Sequence, residues 1–110
     1  MYEKSRNILD CHIAGFAYYD GLEVVDFLKM GTPVRLISES DNPYDPEAVA
    51  VYYDDKKLGY IPQVRNGEMS TLLYFGYAHI MEARISSVDF SAHPERQLRV
   101  SVKIKDNNRV

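Results

Sequence analysis

Residues 41–62, DNPYDPEAVAVYYDDKKLGYIP, constrain the fold more than any other stretch: a dense polar turn runs into two short apolar strands and stops at proline. Pro43 and Pro46 push the residues before them, Asn42 and Asp45, towards extended geometry, so no helix crosses this turn. The side chains of Asn42 and Asp45 can each bond backbone two residues on, which orders the turn. Tyr44 then stands on a stiff loop with its ring free to meet a partner. Residues 48–53 read as one strand and 57–61 as the next, joined as a hairpin at Asp54-Asp55 and ended by Pro62.

The flanking segments extend this β pattern. Leu98, Val100, Val102 and Ile104 alternate with Arg99, Ser101, Lys103 and Lys105, which predicts a strand with its apolar face inward. Residues 11–17 read as a first strand, with Ile13 and Phe16 partly apolar, and 34–38 as a second. Residues 78–90 are long enough for one bent strand, or for two broken at Ser86-Ser87. Leu22, Val25 and Leu28 recur at a spacing of three, which predicts a short amphipathic helix closed by Gly31. A second helix is expected over Gly67–Tyr74, capped by Asn66, with Met69, Leu72 and Leu73 as its buried stripe. Residues 1–9 read as a frayed lead-in, 91–97 as a loop and 106–110 as a flexible tail, which leaves one domain over 10–105. Six short strands with two short helices make the fold mainly β, a compact barrel or half-open sandwich.

A chain of 110 residues buries one modest core. No apolar run is long enough to cross a bilayer, and the polar start is not a secretory signal. The single cysteine, Cys11, cannot form an internal disulfide, and these features together fit a cytoplasmic protein. The net charge is −3. Duplex binders usually carry a basic surplus to neutralise phosphates, so the charge argues against tight duplex binding. It leaves room for a small pocket that grips one strand end.

The turn and hairpin, with Gly15-Phe16-Ala17-Tyr18-Tyr19-Asp20-Gly21 upstream, resemble the signature of the HIRAN domain. That family occurs beside some Swi/Snf-type DNA-repair ATPases and as short free-standing bacterial proteins. The resemblance implies a small barrel of OB or SH3-like character and a non-catalytic role in DNA repair or replication-fork handling. It implies recognition of single-stranded DNA at a 3′ end. Tyr18 and Tyr44 would flank the bases, with Tyr19 beside them, and Asp45 would accept a bond from the terminal hydroxyl. Binding members place an arginine before the tyrosine pair and a lysine after the Gly-x-Ile-like strand end. This chain has Ala17 and Gln63 there, so Arg65, Lys57 or Arg35 would have to meet the phosphates.

Each residue has a plainer reading beside the functional one. With nine tyrosines and no tryptophan, any single tyrosine is expected to pack in the core rather than serve a site. Adjacent strand residues face opposite sides, so one ring of the Tyr18-Tyr19 pair is expected inside and the other at a surface. Asp45 can serve simply as a turn former. Arg99, Lys103 and Lys105, with Arg109 beyond, make the locally basic row, and such rows are most often solvation. Cys11, His12, His79 and His93 lack zinc-ligand spacing. Glu39, Asp41, Asp45 and Glu47 could hold a hard cation, which keeps a metal-dependent nuclease open as a remote alternative. No cofactor motif is present, and the expected metal content is none. The other alternative is a module that docks a protein partner or a second copy through its aromatic surface.

Overall fold

In the computed structural model, residues 5–105 are described. Six strands form one antiparallel sheet: β1 (Ser5–His12), β2 (Pro33–Ser38), β3 (Val49–Tyr53), β4 (Lys56–Tyr60), β5 (Met81–Val88) and β6 (Leu98–Lys105). Their spatial order is β1-β6-β5-β2-β3-β4. The two longer helical segments are a 3-10 helix at Asp20–Phe27 and an α-helix, α1, at Gly67–Tyr74. Short 3-10 turns fill Phe16–Tyr18, Gln63–Arg65, Ala78–Ile80 and Pro94–Arg96.

The core follows from the alternation. Leu98, Val100 and Val102 of β6 face Leu9 and Cys11 of β1 and Ala83 and Ile85 of β5, all buried. Val49 and Val51 of β3 and Leu58 of β4 continue it, and Met69 of α1 closes one side. Leu72 and Leu73 pack against it partly buried. A bulge between Ile85 and Ser87 bends β5 where Ser86-Ser87 was weighed as a break.

Several expectations change. β1 starts at Ser5 because β6 runs long enough to pair with it to Lys105, so residues 5–9 are sheet and not a frayed lead-in. The strand expected over 11–17 therefore ends at His12, and Phe16–Tyr18 curl into a 3-10 turn. Residues 1–4 and the tail at 106–110, with Arg109, lie outside the described residues. The first helix is 3-10 and kinks at Val24, so its stripe breaks: Leu28 is buried but Leu22 is exposed.

The sheet is also not closed into a barrel. β1 and β4 stand at opposite ends of the strand order. Among the described residues, one isolated bridge ties the chain after β1 to β4. Ala14 N–H donates to Tyr60 O at 2.8 Å, and Tyr60 N–H donates to Ala14 O at 2.9 Å. The ladder stops there because the chain turns away at Gly15, in the left-handed conformation with φ 76°. Gly59 permits the approach. Its φ is 152°, and a Cβ there would land on the carbonyl oxygen of Ala14.

Candidate functional site

The polar turn is ordered by its own side chains. Asn42 Oδ1 accepts from the N–H groups of Tyr44 at 2.8 Å and Asp45 at 3.1 Å, the Asx-type turn expected from the sequence. Asn42 Nδ2 donates to Glu39 Oε1 at 3.2 Å, which ties the turn to the end of β2. Asp45 Oδ1 accepts from Glu47 N–H at 2.9 Å. With its backbone so held, Tyr44 stands 93% exposed.

Asp45 has a second partner. Its Oδ2 accepts from Asn66 Nδ2 at 2.8 Å, and Asn66 is only 2% exposed. Asn66 stands at the helix N-cap position as expected, but its side chain makes no capping bond. Its backbone is already helical, with φ −88° and ψ −18°, unlike the extended geometry of a capping residue, and its Nδ2 donates to the carboxylate.

These groups line an open cleft of about 390 Å³. Tyr19, Tyr44 and Tyr60 supply rings, Asn66 and Gln63 supply amides, and Ala14, Ala48 and Ile61 supply apolar surface. Asp45 is the one charged side chain among the described residues that line it. Tyr19 and Tyr60 meet edge to face, with centroids 5.5 Å apart. Two other hollows, one beside β2 and β5 and one beside α1 and Ile8, bring no such rings together.

Behind the rings lies a charged knot. Lys57 Nζ pairs with Glu39 Oε2 at 2.8 Å and donates to Tyr60 Oη at 2.9 Å. Tyr60 O–H donates to Glu39 Oε1 at 2.7 Å. Burial opposes the charge on Lys57, but the bonds to Glu39 and Tyr60 outweigh it and raise its pKa above the usual lysine value. Burial likewise pushes Glu39 up, while Lys57, Tyr60 and Asn42 together pull it below the usual carboxylate value. Tyr60 is raised, first by burial, with Glu39 adding to it against Lys57.

The sequence-selected residues divide accordingly. Tyr19, Tyr44 and Asp45 share the cleft. Tyr18 is 82% exposed at the end of its 3-10 turn and does not line it. Neither ring of the pair is in the core, since Phe16 takes that place at 1% exposure; the expected in-and-out split fails because this segment is not a strand. Lys57 stands behind the rings, matched by Glu39. Arg65 is exposed on the turn whose first residue, Gln63, lines the cleft. Arg35 lies elsewhere, donating to Asp54 O at 2.7 Å and resting over Tyr52.

The basic row is interleaved with acids: Arg99 pairs with Asp10 at 2.9 Å, and Lys103 stands opposite Glu82 in the register. Among the described residues, no group of three or more His, Cys, Asp or Glu converges as metal ligands. No helix among them is long and apolar enough to cross a membrane. The sequence reading missed the role of Asn66 and of Glu39. Nothing local marks a buried asparagine that serves another loop.

A family model described as the HIRAN domain matches residues 7–105. No curated protein matches the chain. The fold is similar to a crystal structure of a protein from Lactobacillus plantarum, with TM-score 0.77, 24% identity, and 91% of this chain and 94% of that one covered. It is also similar to the HIRAN domain of human HLTF, with TM-score 0.62, 18% identity, and 96% and 84% covered. At those identities the two structures speak for the fold alone, whereas the family model spans nearly all of the described chain: this protein belongs to the HIRAN domain family.

Proposed function

We propose that this chain is a non-catalytic nucleic-acid-binding module whose cleft takes the 3′ end of single-stranded DNA, in DNA repair or replication-fork handling. Membership of the HIRAN family supports nucleic-acid binding in general. The observation that carries the finer reading is the grouping of three tyrosine rings around one held carboxylate. Rings take bases by stacking, at about 1–3 kcal/mol per base. A carboxylate accepts from a free 3′ hydroxyl and repels a 3′ phosphate. Asp45 is thus both turn former and candidate acceptor, since its two bonds to protein leave lone pairs over. Tyr19 and Tyr44 are the rings assigned to the terminal bases, with Tyr18 further along the strand and Arg65 the exposed cation nearest in sequence to the cleft.

Fluorescence anisotropy with short oligonucleotides ending in a 3′ hydroxyl or a 3′ phosphate tests this. The hydroxyl end is expected to bind more tightly. Equal affinity for both, or no binding at low salt, rejects end recognition.

A second reading is a protein-docking or self-association module. The exposure of Tyr18 and Tyr44, with no unmatched cation lining the cleft, favours it. Light scattering on wild type and Tyr44→Ala separates the two: a wild-type monomer at all concentrations removes self-association.

A further inference from the structure

We infer that Asn66 is a positioning residue, which aims Asp45 into the cleft and so makes the site select a hydroxyl-bearing end over an anionic one; this rests on the reading of the cleft above. The two bonds to Asp45 fall on different oxygens. Glu47 N–H takes Oδ1 at 2.9 Å and Asn66 Nδ2 takes Oδ2 at 2.8 Å. Two donors on two oxygens fix the plane of the carboxylate, where one donor would let it swing. Each oxygen keeps acceptor capacity for a ligand in the cleft.

Asn66 can do this because it cannot easily turn elsewhere. It is 2% exposed, so water competes little for its amide. Its carbonyl accepts from Ser70 N–H at 2.8 Å, the first bond of α1, which fixes its backbone at the helix start. An ionised carboxylate only accepts, so the amide must present its NH2 edge, and a residue of the same size without a donor would not replace it. The bond spans 21 residues and joins the helix to the turn. Glu47, whose carboxylate lies beside Gly67, the flanking Arg65 and Glu68, and the cleft tyrosines Tyr19, Tyr44 and Tyr60 are titratable groups near the pair.

The experiment uses the full chain and labelled oligonucleotides ending in a 3′ hydroxyl or a 3′ phosphate. The readout is the ratio of the two dissociation constants, taken relative to wild type at the same pH, which cancels titration of the phosphate itself. Asn66→Ala is expected to reduce the ratio by about tenfold or more at neutral pH, with the hydroxyl-ended strand losing affinity. Asn66→Leu keeps a similar volume and loses the donor without adding a charge, so its ratio is also expected to collapse. Asn66→Gln keeps an amide donor, so its ratio is expected to stay closer to wild type than that of Asn66→Leu.

A folded Asn66→Ala that keeps the wild-type ratio overturns the inference. So does a folded Asn66→Leu that keeps the wild-type ratio, and this variant decides the matter if the alanine one does not fold. A wild type that fails to distinguish the two ends overturns end recognition itself, and the inference with it. The two failures are therefore told apart by the wild-type measurement alone.

Discussion

Lys57 Nζ lies 2.8 Å from Glu39 Oε2, so the cation closest behind the tyrosine rings is already matched by an anion. Its ammonium also rests over Tyr60 and Tyr19, at 4.8 Å and 5.2 Å from their centroids. Lys57 thus supports the rings from behind. A phosphate would have to displace Glu39 to reach it.

Binding should depend only weakly on salt. Each phosphate neutralised on a single strand contributes about −0.7 to the slope of log K against log salt. With stacking and one hydroxyl bond as the main contacts, the slope is expected to be shallower than about −1. A slope of about −3 or steeper would place several cations at the strand and reject this account of the cleft.

The rings should not be equivalent. Tyr44→Ala is expected to weaken binding by about 5–150-fold, the loss of one stacked base. Because the residue is 93% exposed, melting should move by no more than about 2 °C. Tyr18→Ala should cost less than either Tyr44→Ala or Tyr19→Ala, since Tyr18 does not line the cleft. Anisotropy on the three variants checks the order; Tyr18 as the costliest would contradict it.

Gly59→Ala should destabilise the fold by about 2–4 kcal/mol, by urea unfolding. The added Cβ meets the Ala14 carbonyl, and the backbone there has φ 152°, where side chains are strained. Lys56→Ala, which removes only a surface ion pair with Glu23, should leave the urea midpoint close to wild type.

Stability should depend on pH through Glu39. Its pKa is lower in the fold than its ordinary 4.5, so the folded state gains from its charge above that value and loses the gain as pH falls below it. Lys57 is raised above 10.5, so its share is complete below that pH and is lost as the pH rises through its folded value. Melting temperature is expected to fall on both sides of that window. Glu39→Gln should flatten the acid limb, and an unchanged acid limb in that variant would show that the loss comes from other carboxylates.

Much of this was legible in the sequence, for reasons that differ by element. The hairpin of β3 and β4, the alternation of β6 and the Asn42 turn were readable because each is fixed by neighbours a few residues away. The first six described residues, 5–10, were harder. Arg6, Asn7 and Asp10 look like solvated chain, and only pairing with β6, some ninety positions on, makes them a strand. The same distance effect hid the site. Tyr44 and Asp45 announced themselves on their turn, but Asn66 and Glu39 gain their roles from partners 21 positions away, Asp45 and Tyr60 respectively. Tyr19 and Tyr18 were read as strand residues; the turn at Gly15 decides instead which ring meets Tyr60.

The Ala14–Tyr60 bridge has a last consequence. Both residues border the cleft, one from the chain after the first strand and one from the end of the fourth. An occupant therefore lies across a seam stitched by a single pair of backbone bonds, and would behave as a clasp on the whole molecule. Ligand binding should then be visible as slowed amide exchange at Ala14 and Tyr60 before it is visible anywhere else in the sheet.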